Sequence, residues 1–346
     1  MSRLQPFARR GLAALVCFLV ATLAGAESAS AQSGPSNAAS PVEPRTIAAT
    51  ATVVPVGRWP EGLAWDGAAL WIAESGVRRI ASVDPAAARV TGTVPVGRLP
   101  VDMTAGPDGT VYALVNTDKK VFAHKRGGKS AALAGVAGCP DHMTLSGTTL
   151  LVLTWPDCSS ADSKIVAIDT ASARARSSAS LGRNAFGIAA TGERAWVAHS
   201  DGSVDAIDIA SLARQATVAV DGFTVAITAG DSAVFVAGRD RPQGSASLVA
   251  RIDAASRVVS HRRVLPGGEM ITALTLAGRH LIAGGEKGAL LVLSADDLRL
   301  LARIAPRGWT ATPAQRLLVV GERLYLTTHA GSGENGSLVM IDGWRP

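Results

Sequence analysis

A pattern that returns seven times limits what this chain can fold into. One unit reads as a short apolar strand, a glycine turn, a second strand often carrying an aromatic residue, a loop, and a third strand ending in an apolar residue and Asp. The first copy is GLAWDGAALWIAES, VRRIASVD and ARVTGTVPVG; later copies are GIAATGERAWVAHS with GSVDAID, and VAITAGDSAVFVAGRD with LVARID. The third-strand anchors Ile80, Val121, Ile165, Val204, Val249, Leu290 and Leu338 are spaced by 41, 44, 39, 45, 41 and 48 residues. The glycines of the first hairpin turn, Gly67, Gly109, Gly147, Gly192, Gly230, Gly278 and Gly321, independently number seven. Alternating apolar and polar residues bounded by Gly, Asp and Ser indicate strands. Strand-only units of about 40 residues are the sequence signature of four-stranded sheets packed radially around a channel. A solenoid would need capping units and helix signals that the sequence lacks. The expected fold class is therefore all-β, a seven-bladed β-propeller.

The seventh unit ends after its third strand, near Leu338 to Gly343. The missing fourth strand has a counterpart at the other terminus: TIAATATVVPVG at 46–57 resembles VTGTVPVG at 90–97, the fourth strand of the first blade. Its pairing into the last sheet would close the ring and leave no open edge.

Residues 1–31 have the layout of a secretory signal, with Arg3, Arg9 and Arg10 before an uncharged run from Gly11 to Ala26 and small-residue cleavage sites after Ala26 or Ala31. Residues 32–44 read as a flexible leader rich in Ser, Ala and Pro, and 45–346 as the propeller. The chain is expected to be periplasmic or secreted, not membrane-spanning, and a monomer. Cleavage after Ala31 removes three arginines and Glu27, taking the formal charge from +6 to +4. The one basic cluster, Lys119, Lys120, Lys125, Arg126 and Lys129, lacks the interleaved aromatics of a nucleic-acid platform, since aromatics are 4% of the chain. It reads as a protected sheet edge. Cleavage also leaves two cysteines, Cys139 and Cys158. The propeller order puts both on one face of the third blade, where an oxidising compartment would join them.

That face is also where polar residues gather. The starts of the inner strands carry Glu61, Asp102, Asp141 and His142, with Gln315 and Arg316 at the seventh; the ends of the second strands carry Glu74, Asn116, Trp155, His199, Arg239 and His329. These form the expected binding rim. Glu61, Asp102, Asp141 and His142 come from three neighbouring blades and could supply oxygen and nitrogen donors to a divalent cation such as Mg or Ca. No ligand-spacing motif enforces such a site, and the primary reading has no cofactor. His142 beside Asp141 or Glu61 is the first candidate acid–base pair. No Gly-x-Ser-x-Gly elbow occurs, and the glycine-rich GSGENGS at 331–337 joins two strands instead of leading into a helix.

TVPVGRLPVDMTAGPDGTVYALV at 93–115 resembles the repeat of YVTN-type propellers, which implies binding or scaffolding without a fixed chemistry. GLAWDGAALWIAES followed by RRIASVDP also resembles the repeat of the streptogramin (virginiamycin B) lyases, which open a cyclic lactone by metal-assisted elimination using strand-start histidines and a glutamate ending a second strand. Glu74 matches that glutamate; Glu61 and Val101 stand where histidine is wanted, and His142 lies one place off. The expectation is a scaffold that binds a small molecule or an envelope protein through one rim of its channel. The alternatives are a metal-assisted lyase or hydrolase of a lactone or ester, and a subunit of an envelope complex with an exposed apolar face.

Overall fold

The computed structural model describes residues 44–158, 162–182, 184–265, 268–329 and 335–346. The signal and leader readings, and most of GSGENGS, lie outside these residues. One compact unit spans Pro44–Pro346, and it is a seven-bladed β-propeller. Within each blade consecutive strands pair antiparallel from the channel outward, and blades six and seven each add an outermost strand from the N-terminal segment. The inner strands are Pro60–Trp65, Pro100–Ala105, Cys139–Ser146, Ala185–Thr191, Phe223–Ala229, Ile271–Ala277 and Arg316–Val320. Among the described residues no helix is long and apolar enough to cross a membrane.

The repeat is now explicable residue by residue. The seven third-strand anchors are buried to 2% exposure or less, because each strand faces a neighbouring blade on both sides. Apolar clusters fill the seven blade junctions, each drawing on two adjacent blades. Complete burial of one such Leu, Ile or Val side chain is worth roughly 1.5–3 kcal/mol. The aspartate after the anchor has a local task. Oδ1 of Asp84, Asp169, Asp208 and Asp253 accepts a backbone N–H two or three residues on. Four residues after each aspartate, Ala88, Ala173, Leu212 and Arg257 take left-handed backbone conformations that complete the turn into the outer strand. Six of the seven expected hairpin glycines have positive φ. Gly230 does not; a Cβ there would lie 2.6 Å from the tip of the Leu276 side chain in the next blade, which would have to turn aside.

Closure follows the expected route and adds a second element. Strand β2 (Thr50–Arg58) pairs antiparallel with Asn335–Asp342, from Thr50 opposite Asp342 to Arg58 opposite Asn335. Ahead of it, β1 (Arg45–Ile47) lies parallel to Leu300–Ile304, making blade six five-stranded. The same segment thus binds two blades, and the backbone bonds Ala305 N to Ile47 O, Arg307 N to Ala49 O and Ala51 N to Arg307 O span the crossing.

Many arginines serve the ring directly. Arg176 donates to Ile209 O and Ala210 O, Arg262 to Val220 O and Asp221 O, and Arg323 to Pro85 O, each across a blade junction. In the basic cluster, Arg126 pairs with Asp66 at 2.6 Å and Lys125 with Asp108 at 3.2 Å. Cys139 and Cys158 form a disulfide, with Cα atoms 5.1 Å apart.

Candidate functional site

Six inner strands share an irregularity at their starts. Pairing with the second strand slips by one residue between Pro60 and Leu63, Pro100 and Asp102, Pro140 and His142, Ala185 and Gly187, Thr224 and Ala226, and Ile271 and Ala273. A bulge leaves one residue out of the ladder and re-aims the side chains beside it. Proline starts the pattern in blades one to three because it has no N–H to lose from the ladder. Glu61 and Asp141 are among the displaced residues, and Asp102 and His142 directly follow a slip.

Arg316, the first residue of the seventh inner strand, joins them. It comes from blade seven, and its Nε donates to Asp102 Oδ1 of blade two at 3.3 Å. Its Nη2 lies 2.8 Å from His142 Nδ1 of blade three, so the guanidinium crosses the channel mouth. A guanidinium only donates, so Nδ1 is the acceptor and the imidazole proton sits on Nε2, which faces Asp141 Oδ2 at 3.3 Å. Asp102 is a fixed part of the arrangement, accepting also from Met103 N at 3.0 Å and Met143 N at 2.9 Å.

The acids respond differently to this setting. Burial pushes the Glu61 carboxyl up to about 7, reinforced by the charges of Asp141 and Asp102 and opposed by Arg316 and a bond from Ser75 Oγ. Burial also acts to raise Asp102, but the Arg316 charge, His142 and the Met143 N–H outweigh it and hold Asp102 down at about 2. Arg316 loses some hydration, yet Asp102, Glu61 and Asp141 keep its proton more firmly held than usual. The mouth therefore combines a permanently charged pair with one carboxyl that gains and loses its proton near neutrality.

The other expected rim residues are placed differently. Asn116 Nδ2 donates to Pro140 O at 2.6 Å, and Trp155 Nε1 to Ala185 O at 3.2 Å, each tying one blade to the next. The carbonyl of His199 accepts from Thr224 Oγ1 at 2.6 Å, while its ring pairs with buried Asp205 at 3.1 Å. Arg239 forms an ion pair with Glu286 of blade six. Glu74 is fully buried, accepts from Gly57 N of β2 at 2.7 Å and pairs with Arg79, which secures the closing strand. His329 follows the second strand of blade seven and is half-buried. Junction bonds continue at Thr272 Oγ1 to Ala314 O, 3.1 Å, and Thr327 Oγ1 to Glu61 O, 2.9 Å.

A divalent cation does not fit the mouth as built. Arg316 already holds Asp102 and the Nδ1 lone pair of His142, two of the four side chains that could have supplied donors to such an ion. Among the described residues no three or more His, Cys, Asp or Glu side chains stand so as to hold a metal ion. Ser75, which donates to Glu61, is the contributor that residue patterns do not single out. Arg316, already expected at the rim from its place at the start of the seventh inner strand, pairs with Thr327 as Asp102 pairs with Leu114.

No protein-family model matches the sequence, and no curated protein matches it. Solved structures do. Virginiamycin B lyase from Staphylococcus aureus superposes with a TM-score of 0.69 at 14% identity, over 85% of this chain and 99% of that one. The likeness is one of fold. A chain of Kuenenia stuttgartiensis hydrazine synthase gives 0.65 at 18% identity, covering 78% of this chain and 92% of that one. A chain of the mitotic checkpoint complex gives 0.69 at 14%, covering 92% and 99%. Proteins this different in role share the ring, so the chemistry has to be argued from the mouth itself.

Proposed function

We propose that this chain is a periplasmic or secreted binding propeller whose channel mouth receives the positively charged group of a small molecule or of an envelope protein. One observation carries the reading: three carboxylates, Glu61, Asp102 and Asp141, face a single guanidinium, that of Arg316. The mouth is short of positive charge, and either a proton on Glu61 or a cationic group supplies it. Carboxylates from three neighbouring blades, Glu61, Asp102 and Asp141, gathered at one mouth suit an ammonium or guanidinium group, which each oxygen can meet with a charge-assisted hydrogen bond. The disulfide supports the compartment. The scattered use of arginine at blade junctions supports a reading without nucleic acid. Val53 and Val258 are the exposed large apolar side chains among the described residues, which favours a monomer over a subunit docked by an apolar face.

The test is calorimetric titration with 1,4-diaminobutane and with its neutral diacetyl derivative. The diamine should bind and the derivative should not. Asp141→Asn should weaken binding at least tenfold with a melting temperature close to that of the parent. Equal affinity for both compounds, or an unchanged affinity in Asp141→Asn, would place the ligand elsewhere.

A lyase- or hydrolase-like reading is favoured by a different observation, the carboxyl of Glu61 poised near 7. A group that titrates near the working pH can both take and return a proton. On this reading Glu61 is the acid–base residue for a lactone or ester. Hydrolysis or elimination of a cyclic ester by the parent but not by Glu61→Gln supports it, and turnover surviving that exchange removes it.

A further inference from the structure

The bulge that presents Asp141 and His142 is restrained on both sides. On its N-terminal side, Thr154 Oγ1 donates to Ala137 O at 2.8 Å and Asn116 Nδ2 reaches from blade two to Pro140 O at 2.6 Å. On its C-terminal side, Met143 N donates to Asp102 Oδ2, again in blade two, at 2.9 Å. The slipped residue between them, Asp141, has no place in the ladder, and Pro140 supplies no N–H to it. Two of the five mouth residues therefore depend on a stretch with few backbone bonds of its own. Cys139 lies at the head of that stretch, opposite Trp155 in the pairing, and is covalently joined to Cys158 just beyond Trp155. The corresponding bulges in blades one, two, four, five and six have no such bond among the described residues.

We infer that the Cys139–Cys158 disulfide is a positioning element of the channel mouth: it pins the bulge of blade three so that His142 stays seated under the Arg316 guanidinium. The physical argument is one of reach. The Arg316 to His142 bond spans from blade seven to blade three, and Arg316 is also held by Asp102 and by Gln315 O at 3.1 Å, so it cannot follow a displaced imidazole. Precision at this contact has to come from the blade-three side. A hydrogen bond weakens steeply with misalignment, so small freedom at Cys139 becomes loss of the contact at His142. Reduction then frees Nδ1 of His142 and lets its proton exchange between the two ring nitrogens. The chain's redox state is thereby coupled to the geometry of the mouth, whatever ligand the mouth receives.

The test reads the imidazole directly, by nitrogen-15 correlation spectra of the oxidised protein at pH 8, with the His142 signal identified by its loss in His142→Gln. The expected spectrum has a single Nε2–H tautomer with a hydrogen-bonded Nδ1. Reduction with a phosphine, or the double variant Cys139→Ala with Cys158→Ala, should average the tautomers at His142 and leave the buried His124 and His199 signals in place. An unchanged His142 signal in reduced protein that keeps those two signals overturns the inference. Should reduction unfold the chain, the deciding variant keeps the disulfide and inserts two glycines after Asp157. Slackening there should average the His142 signal, and an unaltered single tautomer contradicts the positioning role.

Discussion

Asp102 shows most clearly how one side chain serves both structure and site. It accepts from two backbone amides and from Arg316 while almost fully buried, so Asp102→Ala leaves a half-buried guanidinium and two amides short of their partner. Removing one side of a fully buried pair costs about 3–5 kcal/mol; with the guanidinium partly solvated, the unfolding free energy of Asp102→Ala in urea should fall by less than that, about 2 kcal/mol. Glu61 makes the opposite prediction. Its folded-state value, about 7, is above the ordinary 4.5, so the native state binds more protons than the unfolded chain between those values. Stability from this group is therefore lost as pH rises from 4.5 to 7. Glu61→Gln should match the parent near pH 4 and exceed it in stability at pH 8, as measured by denaturant midpoints across pH. Asp102 has the reverse sign, its contribution being lost as pH falls from 3.8 towards 2. Residue patterns located these acids by register alone. They did not distinguish them from Asn116, Trp155 and Arg239, because alternation reports which face a polar side chain occupies and not whether it turns to the channel or to the next blade.

At the scale of elements, the inner-strand bulges and the closing segment carry the consequences. The proline-led starts were legible as turns, but the slip that displaces Glu61 and Asp141 depends on pairing with the second strand, which a single strand's sequence does not contain. The likeness between residues 46–57 and 90–97 made β2 legible for the same reason that β1 was not: β1 is a three-residue strand added in parallel to blade six and has no counterpart among the repeats. Deleting Arg45–Ile47 should lower the thermal midpoint slightly while the ring stays closed. Deletion through Gly57 should expose the Asn335–Asp342 edge and unseat Glu74, and such a chain should aggregate or melt far lower in a light-scattering melt. The disulfide closes a short loop, and its reduction should cost roughly 3 kcal/mol by urea unfolding.

For the whole molecule, the ring is the most legible feature, since two seven-fold markers and a strand borrowed from the other terminus leave one architecture. The chemistry is less legible because it arises from residues brought together across the ring, with Arg316 far in sequence from Asp102 and His142. The fold likeness to a lyase, a hydrazine synthase chain and a checkpoint chain fits this division, with a common ring and mouths of separate design. On the proposed function, this mouth is short of positive charge, which a proton on Glu61 or a ligand's cation would supply. Proton and ligand should then compete. The most direct measurement is the affinity for 1,4-diaminobutane at pH 6 and pH 8 in the parent and in Glu61→Gln. The parent should bind about tenfold more tightly at pH 8, as expected when a proton near pKa 7 must leave, and Glu61→Gln should bind with little dependence on pH. No binding at either pH, or the same pH dependence without the Glu61 carboxyl, would contradict the account.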